Sequence, residues 1–163
     1  MWSAIKSDIP FVPVPPRFFK DIEKSLNLKD GDILYNLSCG DGRVLFYLSQ
    51  KHKNIKYIGI ENSIFPLIIL KFKNWWCKIT NKSTIEIIQK DIFEVNLSSA
   101  THIFIHLYPH VMDDIASKFD EELKPGTKVI SLSFPFTSTH KVEEIEIEKI
   151  DNEHSRKIYI YEF

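Results

Sequence analysis

The sequence predicts an α/β fold: a doubly wound sheet of seven strands, mostly parallel, closed by an antiparallel C-terminal hairpin. Three observations predict it. First, an apolar run from Ile33 ends in the small-residue turn Ser38-Cys39-Gly40-Asp41-Gly42, and a helical pattern opens directly after it. A second apolar run then ends in an acid, Glu61, 19 residues beyond Gly42. That strand–turn–helix–strand–acid unit is how a parallel sheet is built to hold a nucleoside. Second, strand-length apolar runs keep alternating with helical patterns as far as residue 133. Third, the last stretch alternates apolar and polar residues, as a half-exposed antiparallel pair does.

Each element follows in order. Residues 9–16 contain Pro10, Pro13, Pro15 and Pro16. Prolines fix φ and remove donors, so neither an ordinary helix nor a central strand fits. The segment reads as an extended strap over residues 1–16, packed through Phe11, Val12 and Val14. A helix follows over 17–26, with Phe18, Phe19, Ile22 and Leu26 on one face. Asp30-Gly31-Asp32 turns into the first strand, 33–36. Residues 43–51 form a helix and 56–60 a strand ending at Glu61. Pro66 suits a helix start, and that helix runs to residue 77. Residues 84–89 are a strand leading to Asp91, and 101–107 a buried strand. A helix over 111–123 is stopped by Lys124-Pro125-Gly126. Strand 128–133 runs into Phe134-Pro135-Phe136. The hairpin comprises 142–150 and 157–163, joined by Asp151-Asn152-Glu153. No repeat or linker divides the chain, so residues 1–163 read as a single domain.

Composition narrows the function. Net charge is −1, so there is no broad basic footprint for nucleic acid. Two cysteines, Cys39 and Cys77, make neither a disulfide framework nor a zinc spacing. They read as reduced thiols, and the expected location is cytoplasmic. No run is long enough to span a membrane. The most apolar window, 64–70, is closed by Lys71 and Lys73, and the start Met1-Trp2-Ser3-Ala4-Ile5-Lys6 lacks the apolar core of a secretory signal.

The chemistry concentrates at strand ends. Gly40 and Gly42 let backbone approach a ligand with no Cβ between. Glu61 can accept from two ribose hydroxyls, and Asp91 from an adenine amino group. Leu45 stands where G-x-G-x-x-G has its third glycine, and the terminal hairpin is foreign to most nicotinamide-binding domains. The plainer alternative is that Glu61 and Asp91 only cap the loops that follow them.

The stretch Tyr35-Asn36-Leu37-Ser38-Cys39-Gly40-Asp41-Gly42-Arg43-Val44 resembles the first motif of class I S-adenosylmethionine-dependent methyltransferases. The wider order is more specific: Phe11-Val12-Pro13-Val14-Pro15, Gly59-Ile60-Glu61, Lys90-Asp91-Ile92-Phe93, Leu123-Lys124-Pro125-Gly126 and Ser133-Phe134-Pro135-Phe136. It resembles small archaeal protein-lysine methyltransferases and the ATP synthase c-subunit lysine methyltransferases, over residues 10–136. The resemblance implies a Rossmann-like sheet, S-adenosyl-L-methionine as cofactor, and a protein partner presenting a lysine to a monomeric enzyme. It implies that Ser38, Cys39 and Gly40 make backbone contacts to the methionine part, with Asn36 and Gly42 also cofactor-binding. Glu61 would hold the ribose with Asn62 as its neighbour in the cofactor site, Asp91 and Ile92 would flank the adenine, and Val12 and Pro13 would cover the cofactor. Leu107, Tyr108 and Pro109 would face the methyl group. Tyr108 and Phe134, with Pro135 and Phe136, would wall the acceptor channel. Two positions depart from the family pattern: Asn36 replaces the usual acid, and Ser38 the usual glycine.

Such a transfer asks for no metal and no catalytic triad, because the sulfonium methyl is already a strong electrophile. Other groupings read as structural. His102, His106 and His110 recur every four residues on a segment that reads as strand, so they would not converge on a metal. His106 ends that strand beside the cofactor site. Lys71, Lys73, Trp75, Trp76, Lys78 and Lys82 mix base and aromatic residues as RNA binders do. They read more simply as a helix with lysines toward its C-terminal end. Asp113 and Asp114 are expected in a helix first turn. Two alternatives stand beside lysine methylation: transfer to a small molecule or nucleic acid, and a non-catalytic nucleoside-binding module.

Overall fold

In a computed structural model, the structure describes residues 12–138, 140, 142–149 and 155–163. Phe11 and the Asp151-Asn152-Glu153 turn lie outside the described residues. The chain forms α1 (Phe19–Leu26), β1 (Ile33–Leu37), α2 (Arg43–Lys51), β2 (Lys56–Ile60), α3 (Ile64–Ile79), β3 (Glu86–Ile88), β4 (His102–Ile105), α4 (Pro109–Glu122), β5 (Lys128–Leu132), β6 (Val142–Lys149) and β7 (Ser155–Glu162). One seven-stranded sheet has the order β3-β2-β1-β4-β5-β7-β6. The β1 to β5 pairings are parallel, and β7 runs antiparallel to both β5 and β6. The predicted fold class is the observed one.

Strand periodicity divides the core into two layers. Leu34 and Phe104 face α1, α2 and α3, where they pack with Ile22, Leu26, Leu45, Leu48 and Leu70. Tyr35, Leu37, Ile103 and Ile105 face the other way, against Val111, Ile115 and Phe119 of α4. The polar residue Asn36 points to the first face, with Leu34 on its own strand and Phe104 beside it in register.

Several boundaries differ from expectation, each for a local reason. The 17–26 helix opens as a 3-10 turn, Pro16–Phe18, before α1 begins. Helix α3 starts at Ile64, two residues before Pro66, where the first-turn N–H that proline lacks has no helical partner to lose. Strand β3 is shorter than expected because Asn74 of α3 intervenes. Its side chain donates to the Ile85 carbonyl at 2.8 Å and accepts from the Ile85 N–H at 2.9 Å. Strand β4 ends at Ile105, and α4 begins at Pro109. Asp113 therefore falls past the first turn, where it accepts from the Thr137 N–H at 3.2 Å. Among the described residues, no helix is long and apolar enough to cross a membrane.

Candidate active site

The turn after β1 is made of residues that most side chains would not tolerate. Ser38 sits at φ +59°, Gly40 at +59° and Gly42 at +73°. Gly42 is also held to glycine by packing. A Cβ there would run into Leu70 Cδ1 of α3 and crowd the Phe46 ring, so those side-chain ends would have to shift. Ser38 is the departure from the glycine of related motifs, and its backbone occupies the conformation glycine favours. A non-glycine residue there costs roughly 1–2 kcal/mol, partly offset by the smaller entropy of the unfolded serine chain. Ser38→Gly is expected to stabilise the protein by about 0.5–1 kcal/mol, read as a higher denaturation midpoint. An unchanged or lower midpoint would show that the serine side chain contributes something glycine lacks.

Glu61 organises the turn. Its carboxylate, 4% exposed, accepts from the Gly40 N–H at 2.8 Å through Oε2. Oε1 accepts from the Asn62 N–H at 3.0 Å and the Ser63 N–H at 2.7 Å. The residue thus ties the β1 turn to the end of β2. A carboxylate offers about four lone-pair sites, so one acceptor position is left for a ligand. Of the two readings made from sequence, the structure shows that Glu61 caps the loop that follows it.

Asp41 pins the turn from the outside. Its carboxylate accepts from Arg43 Nε at 2.9 Å and from Lys73 Nζ of α3 at 2.7 Å. Burial works against its ionisation, but the Arg43 and Lys73 hydrogen bonds outweigh burial and hold the carboxyl below the usual carboxylate range. Cys39 beside it is buried, and burial, with the Glu61 charge, pushes its thiol far up. It is an unreactive thiol whose Sγ fills the space above Gly59, where a Cβ would come within 2.8 Å.

A narrow cleft lies where these pieces meet. Its walls include Val12, Pro13, Asn36, Ser38, Gly40 and His106. Asn36 is 3% exposed, and among the described residues its side-chain amide makes no hydrogen bond. No described side-chain polar atom is fully sealed without a partner, so what exposure the amide has opens onto the cleft it borders. A nearly buried amide without a partner is costly, and a ligand in the cleft would supply one. His106, just past β4, shares the cleft. Burial lowers its pKa, with a smaller push from Arg156. The imidazole is therefore neutral at physiological pH.

The other predicted residues are distributed around this centre. Asp91 follows β3, and its Oδ1 accepts from the Phe93 N–H at 3.0 Å, capping the short 3-10 turn Ile92–Glu94. Asn62 is exposed, directly after Glu61. Leu107 is a core residue, 2% exposed, so only its backbone can face a ligand. Tyr108 precedes α4 and stacks on His110, with ring centroids 6.1 Å apart. Phe134 is half-buried, whereas Phe136 is turned into the core and stacks on Tyr161 at 3.8 Å. The Phe136 ring therefore supports the 134–137 loop instead of walling a channel. The three histidines occupy three settings: His102 on Thr101 Oγ1 at 2.9 Å, His106 in the cleft and His110 on Tyr108. Ser133, at φ +77°, is a second strained serine that sequence reasoning missed, because nothing but the backbone marks it.

Comparison with known proteins places this geometry. The profile of the ANTKMT methyltransferase domain matches residues 36–143. A protein-lysine N-methyltransferase of Saccharolobus islandicus is 29% identical over 156 residues, 94% of this chain and 92% of its own length. The ATP synthase c-subunit lysine N-methyltransferase of Rattus norvegicus is 23% identical over 128 residues, 78% of this chain and 57% of its own length. Among solved structures, an RNA methyltransferase from Salinibacter ruber in complex with S-adenosyl-L-homocysteine superposes with a TM-score of 0.73. It is 24% identical and covers 93% of each chain.

Proposed function

The chain belongs to the ANTKMT methyltransferase domain family, and from that premise we propose that it moves the methyl group of S-adenosylmethionine to the side-chain amine of a protein lysine. The observation that carries the acceptor is the similarity to a protein-lysine N-methyltransferase along nearly the full length of both chains. The cleft carries the cofactor reading. Its unpartnered Asn36 amide is a ready contact for the methionine end, and the free Glu61 acceptor position one for a ribose hydroxyl. Asp91 and Ile92 lie at the β3 end for the adenine.

The cofactor supplies the electrophile. The chain's own residues hold and shield. A neutral His106 leaves the cleft free of an added positive charge beside a sulfonium. The Val12–Pro13 segment excludes water on one side. Tyr108 and Phe134 offer apolar walls that desolvate an approaching ammonium, lower its pKa and favour the free amine. Alignment of nitrogen, methyl and sulfur then provides most of the acceleration. The reading takes the enzyme as a cytoplasmic monomer that meets a flexible protein segment, with residues 1–16 as a strap.

The cofactor assignment is tested by calorimetric titration with S-adenosylhomocysteine. Saturable binding at one site, weakened by Asn36→Leu, is expected. Absence of binding would favour a different ligand.

A further inference from the structure

Helix α3 has a face that the fold does not use. Of its 16 residues, only Pro66, Leu67 and Leu70 are buried. Ile64, Phe65, Ile68, Phe72, Trp75 and Trp76 are 51% to 74% exposed. Ile79, also exposed, ends the row. At about 100° per residue these side chains fall in one arc of about 120°. The stripe is far larger than the scattered apolar residues normal on a soluble surface. It continues into a groove of about 640 Å³ between α2 and α3, walled by Phe46, Tyr47, Phe72, Trp76 and Cys77.

Charge says what covers it. The helix carries no aspartate or glutamate. On the same wheel Lys71 and Lys78 flank one edge of the stripe, and Lys82 follows just beyond the helix; Lys73, on the other side, is held by Asp41. An apolar sector edged by lysines, with tryptophans and phenylalanine in it, is the design of a helix lying in a membrane interface. A 16-residue helix is about 24 Å long, suited to lying in the plane and too short to span. Pairing with a second copy through this face would bring lysine edges against lysine edges with no acid on the helix to compensate. Nucleic acid would leave the isoleucines, which have no face for a base to stack on, without a partner.

We propose that α3 docks the protein on an anionic lipid bilayer, with the stripe in the interface and the lysines at the headgroups. The proposal is independent of the methyl-transfer reading. Helix α3 begins three residues after Glu61, so docking holds the Glu61 end of β2 near the bilayer surface.

The test is co-sedimentation of the full chain with vesicles of equal parts phosphatidylcholine and phosphatidylglycerol, against pure phosphatidylcholine vesicles. Binding to the anionic vesicles is expected, falling as salt is raised. Phe72→Ser with Trp75→Ser should weaken it by about tenfold or more, and Lys71→Gln with Lys78→Gln by about twentyfold. Circular dichroism and S-adenosylhomocysteine affinity of both variants should match the parent, which separates lost docking from lost folding. The proposal is overturned if the parent fails to sediment with anionic vesicles, or if the serine variant sediments as well as the parent. It is equally overturned if the face proves to hold a second copy, seen as a dimer that the serine variant dissociates, or an RNA, seen as a gel shift without vesicle binding.

Discussion

Glu61→Ala is expected to abolish measurable cofactor binding and to lower stability by about 2–4 kcal/mol. The sequence alone suggests that only binding should suffer, since an acid at a strand tip need not be core. The structure adds the second effect. Glu61 is buried and receives three backbone N–H groups, from Gly40, Asn62 and Ser63. Alanine leaves those donors without their acceptor in a site where water reaches poorly, and each such loss costs roughly 1–3 kcal/mol before water relieves part of it. The turn that carries Ser38 to Gly42 then loses its tie to β2. Glu61→Gln retains one acceptor oxygen, so it should recover part of the stability and little of the binding, because its amide nitrogen cannot accept from Gly40. Calorimetry and denaturant unfolding read the two effects separately. An alanine variant as stable as the parent would show that these three hydrogen bonds add nothing, and one that binds equally well would remove Glu61 from the ribose site.

Deletion of residues 1–15 is expected to lower methyl transfer by about tenfold or more while costing only about 1–2 kcal/mol of stability. Among the described strap residues, Val14 joins the core, at 7% exposure, and its loss sets the expected stability cost. Val12 and Pro13 line the cleft together with Asn36, Ser38 and His106. A proline-rich segment is stiff before it closes and loses little entropy when it does. Among the described residues of this segment, none is a strand of the sheet, so the domain is expected to fold without it. Turnover, cofactor affinity and thermal midpoint of the shortened chain make the comparison. Loss of folding would make the segment a structural clasp, and unchanged turnover would make it irrelevant to the site.

Much of this arrangement is legible in the sequence because periodicity and punctuation are local. Arg43–Lys51 and Lys56–Ile60 follow from apolar spacing and the glycine turn alone, and the observed bounds are the same. The expected hairpin follows from strict alternation, and β6 and β7 pair antiparallel as that pattern requires. Where tertiary contact decides, the sequence is silent. Asn74 shortens β3 by claiming the backbone of Ile85, a partner 11 residues away that no window reveals. Gly42 reads as a ligand-approach glycine, and the fold adds a packing constraint from Leu70 on another helix. The family resemblance implies that Phe136 walls a channel, yet Tyr161 and Phe119 draw its ring into the core. The substitutions at Asn36 and Ser38 are visible in sequence; their consequences, an unpartnered amide at the cleft and a left-handed serine, are visible only in the fold.

Methyl transfer to protein lysine is tested most directly by incubating the protein with methyl-labelled S-adenosylmethionine and a cell lysate, with and without nuclease. Labelled proteins are then hydrolysed and their amino acids identified by mass spectrometry. The account predicts label in protein, insensitive to nuclease, recovered as methylated lysine, and absent with Glu61→Ala. Label that disappears with nuclease, or that is recovered on any residue other than lysine, would contradict it.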